Sequence, residues 1–200
     1  MSDGARYEFR AFARDFGLVE DRLRELAEPS RIVESHELYI VTSRSDASNI
    51  KIRGGRLDIK QCLGEQQGLE QWKPVLKQEL PLVNEPDAAR LAEALVLDCS
   101  ADELCGRNLS ELLSEQVFPQ PDLGAARVFK QRFGFLVQDC QCEIVALSVN
   151  GAWTRSCCVE AESADAVLAL ITQLGLDAYP NTSYARAVRR ILGLDRDHLL

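Results

Sequence analysis

Basic side chains recur at alternate positions in one short stretch of this sequence. Asn49-Ile-Lys-Ile-Arg53, the pair Gly54-Gly55, and Arg56-Leu-Asp-Ile-Lys-Gln61 read as two strands joined by a two-residue turn, the glycines supplying the positive φ that such a turn needs. In that register Arg53 faces Arg56 and Lys51 faces Asp58, so Lys51, Arg53, Arg56, Asp58 and Lys60 project from one face and Ile50, Ile52, Leu57 and Ile59 from the other. A face of this kind is either the solvated side of an amphipathic hairpin or the lining of a cavity that holds an anion. Inside a cavity, two cations about 4 Å apart repel by about 4 kcal/mol at an effective dielectric near 20, and a phosphate chain among them removes that cost. Carboxylates supply the opposite signal. Around Asn150-Gly151, a second two-residue turn places Glu143 on the same face as Glu160 and Glu162. Oxygen donors grouped in this way suit a hard divalent cation such as Mg²⁺ or Mn²⁺, although lysines or water would also satisfy them.

The elements that must position these residues are legible from periodicity. Strand alternation predicts strands at Tyr7–Phe12, Ile32–Thr42, either side of Gly54-Gly55, Gln71–Glu79, Ala126–Val137, Cys140–Val149 and Trp153–Glu162. Helical spacing appears after Asp15, with Phe16, Val19, Leu23 and Leu26 on one stripe and Pro29 as the stop. Residues 85–116 change to an Ala-, Leu- and Glu-rich helical pattern and read as an insertion. Two helices follow the last strand, one capped by Ser163 and ended by Gly175, the other running from about Ser183 to Leu192 before Gly193. Antiparallel hairpins with flanking helices give an α+β class, with a large sheet able to close into a barrel. A single domain over 1–200 is expected.

Composition narrows the function classes. With 200 residues, 46% hydrophobic and 27% charged, the chain is long enough for a sizeable core. Thirty-one acids against 23 bases leave a net charge of -8, which argues against general nucleic-acid binding or an anionic membrane surface. No apolar run reaches membrane-spanning length, and Met1-Ser-Asp-Gly-Ala-Arg6 lacks the features of a signal peptide. A cytoplasmic location is expected. The seven cysteines, Cys140 and Cys142 and the adjacent Cys157 and Cys158 among them, have no zinc-knuckle spacing and read as reduced thiols. His36 and His198 show no catalytic partner, and Trp72, Tyr39 and Trp153 read as core residues.

Tyr7-Glu-Phe-Arg10, Lys51-x-Arg53, Leu57-Asp-Ile-Lys60, Phe129-Lys-Gln-Arg132, Val159-Glu-Ala-Glu162 and Asn181-Thr-Ser-Tyr184 occur in an order that resembles the CYTH domain, or triphosphate tunnel metalloenzyme superfamily. The resemblance spans nearly the whole chain. It implies an eight-stranded antiparallel β-barrel, closed or nearly so, with peripheral helices and a basic tunnel that binds a triphosphate group and Mg²⁺ or Mn²⁺. By that resemblance Glu8, Glu160 and Glu162 hold metal, with Glu143 as a further acid. Lys51, Arg53, Lys60 and either Lys130 or Arg132 match the family's phosphate-binding cations, and Arg10 and Lys60 stand at catalytic positions. The expected function is metal-dependent hydrolysis of tripolyphosphate or a small organic triphosphate. The alternatives are a weakly catalytic or non-catalytic binder of triphosphate or polyphosphate, and an adenylyl cyclase of the CYTH type. Two positions depart from the pattern by losing an acid: Arg6 replaces the first acid of the N-terminal motif, and Ser148 stands where an acid is common. Arg10 replaces a lysine, and a guanidinium serves poorly as a proton donor or base.

Overall fold

The computed structural model describes residues 4–195; His198 and the first three residues of the opening segment lie outside them. Eight strands form a closed barrel: β1 (Arg6–Ala13), β2 (Arg31–Thr42), β3 (Ser45–Arg53), β4 (Arg56–Gln66), β5 (Leu69–Glu79), β6 (Leu123–Val137), β7 (Cys140–Val149) and β8 (Ala152–Ala161). The order round the barrel is β1-β5-β4-β3-β2-β6-β7-β8, with β8 antiparallel to β1. Closure leaves no free sheet edge. The α+β barrel read from the sequence is thus the observed fold.

Turn chemistry sets the registers. Gly54 and Gly55 have φ of 58° and 79°, and across them Arg53 pairs with Arg56 and Lys51 with Asp58, as expected. Asn150 and Gly151, at φ 49° and 94°, join β7 to β8 in the register that pairs Glu143 with Cys158. These positive angles match the right-handed twist of the strands they connect.

The described residues pack as two compact units, 4–35, 63–73 and 128–183 in one, 36–62, 74–127 and 184–195 in the other. In the first, α1 (Leu18–Leu26) and α5 (Ala164–Leu174) lie on the sheet. Val19 and Leu23 of α1 and Val167, Leu170, Ile171 and Leu174 of α5 bury against Phe9, Ala11, Cys142, Ile144, Cys157 and Val159. Leu26, placed on the buried stripe by its spacing, is instead 41% exposed, because it sits in the last turn beyond the sheet-facing residues. Ser163 accepts from the Ala166 N–H at the start of α5, and Gly175 ends it with φ 74°.

The second unit has its own core. Residues 85–116 form α2 (Glu85–Leu95), α3 (Ala101–Leu104) and α4 (Leu109–Glu111), which runs on into a π-helical segment, Leu112–Val117. Asn84 caps α2 by accepting from the Asp87 N–H. Ala88, Leu91 and Leu95 of α2, with Leu104 and Leu112, pack on Ile40, Ile50, Ile52, Leu57 and Ile59. The helical stretch is therefore the cover of the β3–β4 hairpin's apolar face. The chain ends its described course in α6 (Tyr184–Ile191).

In both units the apolar strand face lies under helices, α1 and α5 in the first and α2 to α4 in the second, and the face carrying charge is the opposite one. In a closed barrel that opposite face is the inner one.

Candidate functional site

The inner face of the first unit is built around a row of acids. β1 places Glu8 directly opposite Glu160 on β8 and Glu70 on β5, so three carboxylates stand side by side across three strands. Directly paired residues bring their Cβ atoms to about 5 Å. Glu8 and Glu70 are both buried. Arg6 and Arg10 flank Glu8 at two residues before and after, which strand parity puts on the same face. Arg10 Nε donates to Glu8 Oε1 at 2.8 Å, and its Nη2 lies 3.9 Å from Glu143. Arg6 Nη1 lies 3.4 Å from Glu160 Oε1. Glu70 accepts from the Trp72 indole N–H at 3.0 Å.

The backbone of Arg10 is held as firmly as its side chain. Its N–H donates to Asn181 Oδ1 at 2.9 Å and its carbonyl accepts from the Thr182 N–H at 2.7 Å, while Asn181 Nδ2 donates to the Gly68 carbonyl at 2.8 Å. Asn181-Thr-Ser therefore continues the ladder on β1 beyond Glu8, where the pairing with β5 stops. Two more motif cations lie in this unit on β6. Lys130 is buried, and Arg132 donates to Ser35 Oγ at 2.9 Å. They pair with Leu147 and Val145, and so share the face of Glu143.

In the second unit the inner face belongs to the basic hairpin. Lys51 Nζ is 3.5 Å from Asp58, both side chains more than four-fifths buried. Arg53 Nη1 is 3.6 Å from Glu37, whose side chain is fully buried. Lys60 is half-buried and pairs across the ladder with Asn49. Lys51 also pairs with Tyr39 of β2, whose ring packs at 5.5 Å on that of Tyr184 from α6.

Glu162 lies just past the end of β8, exposed, and lines a surface depression with Arg6, Asp139 and Gln141. Ser148 pairs with Phe129 and Trp153, on the face opposite Glu143, so the missing acid there is not a gap on the inner face. Trp153 is 66% exposed, in edge contact with Phe129, because the turn end of β8 extends past the helices that cover its other end; Tyr39 and Trp72 are buried as expected. Sequence reading missed Glu70 because it began the strand at Gln71, although the alternation of Leu69, Glu70, Gln71 and Trp72 carries the signal. It missed Glu37 for want of a pattern linking it to Arg53. All seven cysteines are free thiols. Burial raises the Cys142 and Cys158 thiols well above the ordinary range and pushes Cys157 up to about 12.

A divalent metal needs carboxylate oxygens converging on one point. Here Glu8, Glu143 and Glu160 each turn toward a guanidinium. Among the described residues, no three His, Cys, Asp or Glu side chains group to hold a metal. The donor set as arranged does not fit Mg²⁺ or Mn²⁺.

No family model and no curated protein matches the chain. Solved structures do. A conserved hypothetical protein of Pyrococcus furiosus superposes with a TM-score of 0.53 at 15% identity, over 90% of this chain and 98% of that one. A Hippeastrum protein named as an adenylyl cyclase, and described as revealing a dominant triphosphatase activity, gives 0.49 at 12% identity over 94% and 96%. A Bacillus halodurans protein named as an adenylate cyclase gives 0.46 at 13% identity over 94% and 98%. At 15% identity the likeness to the Pyrococcus furiosus protein is one of fold. No helix among the described residues is long and apolar enough to cross a membrane. The closed eight-stranded antiparallel barrel is the architecture that the resemblance read from the sequence implies.

Proposed function

We propose that the chain binds the phosphate chain of a triphosphate-containing small molecule or of inorganic polyphosphate. One observation carries the reading: helices cover the apolar face of the β3–β4 hairpin, so Lys51, Arg53, Arg56 and Lys60 belong to the face that is not packed on them. A solvated outer face would have had the reverse arrangement. Lys51, Arg53 and Lys60 are the proposed phosphate contacts. Guanidinium and ammonium donors hold phosphoryl oxygens through charge-assisted hydrogen bonds, the strong class of such bonds.

Titration with sodium tripolyphosphate tests the proposal. Losing one charge-assisted contact costs about 1.5–3 kcal/mol, so Lys51→Ala and Lys60→Ala should each weaken binding by about tenfold to a hundredfold. Arg24→Ala, which removes an exposed cation on α1, should leave binding unchanged. Equal affinity in all three variants and the parent would remove the hairpin from the site.

Phosphohydrolysis is the second reading, favoured by the row Glu70, Glu8 and Glu160, which an anion binder alone does not require. Orthophosphate release from tripolyphosphate, ATP and thiamine triphosphate decides it, and formation of cyclic AMP with pyrophosphate would mark the cyclase alternative.

A further inference from the structure

Three inner-face acids of the first unit are already provided with cations. Glu8 has Arg10 at 2.8 Å, Glu143 has Arg10 at 3.9 Å and Glu160 has Arg6 at 3.4 Å. Both arginines sit on β1 beside the very residue at the centre of the row. An unpaired carboxylate row facing a polyphosphate would repel it, and a divalent ion between the two removes that repulsion by ligating both. A guanidinium does the first half of the same task with a charge that is covalently fixed and does not titrate below about pH 12.

We infer that Arg6 and Arg10 are resident counter-cations of Glu8, Glu143 and Glu160, taking the electrostatic place of a divalent metal, so that the chain binds a triphosphate-class anion without one. This rests on the reading of the chain as a phosphate-chain binder. Two consequences separate it from a metal-dependent site. Added Mg²⁺ does not strengthen binding, and it weakens it where the ion neutralises tripolyphosphate in solution. The protein alone has no tight Mn²⁺ site.

The experiment has two arms on the full chain. In the first, tripolyphosphate is titrated calorimetrically into protein with EDTA and, separately, with millimolar Mg²⁺. Affinity with EDTA equal to or greater than that with Mg²⁺ is the expected result. Binding seen with Mg²⁺ and lost by tenfold or more in EDTA overturns the inference while leaving the proposed function in place. Absence of binding under both conditions overturns the proposed function, and with it the anion half of the inference. In the second arm Mn²⁺ alone is titrated and followed by the loss of its free-ion paramagnetic resonance signal. No uptake by the parent protein below millimolar concentration is expected, and a stoichiometric micromolar site refutes the counter-cation assignment whatever the first arm gives. Arg6→Glu should weaken tripolyphosphate binding in EDTA by at least tenfold and create Mn²⁺ uptake; an unchanged affinity refutes a role for Arg6. Arg6 is about one-third exposed, so the variant should fold, and Arg6→Gln repeats the binding test with a neutral side chain.

Discussion

Removing the Arg10 guanidinium should be among the most damaging single changes to this protein. Its side chain is 7% exposed, that of its partner Glu8 is 10%, and the Nε to Oε1 distance is 2.8 Å. At that separation, two unit charges attract by about 6 kcal/mol at an effective dielectric near 20, and much of this offsets the cost of taking both out of water. Arg10→Met leaves Glu8 buried beside Glu70 and Glu160 with its closest cation gone, and loss of one partner from such a pair costs about 3–5 kcal/mol. For a chain of this length each kcal/mol moves the melting point by about 2–4 °C, so the variant should melt roughly 6–20 °C below the parent. Glu8→Leu combined with Arg10→Met removes both charges and replaces them with apolar groups. The double variant should then be more stable than Arg10→Met alone, a coupling of about 2 kcal/mol or more in a double-mutant cycle. Thermal and urea denaturation of the four proteins measure it. If Arg10→Met melts within about 2 °C of the parent, or if the two effects simply add, the pair is not what neutralises Glu8 and the electrostatic account of this face is wrong.

Asn181→Ala deletes the acceptor for the Arg10 N–H and the donor to the Gly68 carbonyl; at about 1–3 kcal/mol for a polar group left unsatisfied, urea denaturation should show a loss of about 2–4 kcal/mol, and a change below 0.5 kcal/mol would refute the clamp. Thiol titration with a disulfide reagent near neutral pH should find Cys62, Cys99 and Cys105 reactive in the folded protein, with Cys140, Cys142, Cys157 and Cys158 reacting only on unfolding; rapid reaction of all seven would refute the burial. Since the folded Cys157 thiol is held up to about 12 against about 9 when exposed, the unfolded chain releases its proton first. Stability should therefore be intact below about pH 9 and fall as pH rises from about 9 towards 12, with a smaller fall in Cys157→Ala.

The hairpin registers were legible because turn residues and strand parity are local. Gly54-Gly55 and Asn150-Gly151 determine which side chains share a face, and the structure has Lys51 opposite Asp58 and Glu143 on the face of Glu160. What local pattern does not carry is which face meets a helix. The apolar side of β3–β4 is covered by the helical stretch 85–116, about thirty or more positions further on, which no pattern within the hairpin announces. Pairing across distant strands was equally out of reach. Glu70 comes beside Glu8 only through the β1–β5 ladder, and Arg6 meets Glu160 across 154 residues. The departures of Arg6 and Arg10 from the family pattern could be seen in the sequence. Their use as partners of the neighbouring acids could be seen only once β8 lay beside β1.

Strand β1 leads its β8 partners by up to 154 residues, and its last ladder contacts come from Asn181 and Thr182. During synthesis it therefore leaves the ribosome with both hydrogen-bonding edges open and waits for most of the chain behind it. Pairings of such long sequence separation form slowly, because loop closure must precede any gain from contact. An open strand bearing Phe9 and Ala11 on one side is a template for association with other nascent chains. The buried charges of Glu8 and Arg10 on its opposite side disfavour that association, since a foreign partner strand would have to bury them without the row that accommodates them here. The same two residues that shape the inner face of the finished barrel thus also guard its earliest strand while the barrel is being made.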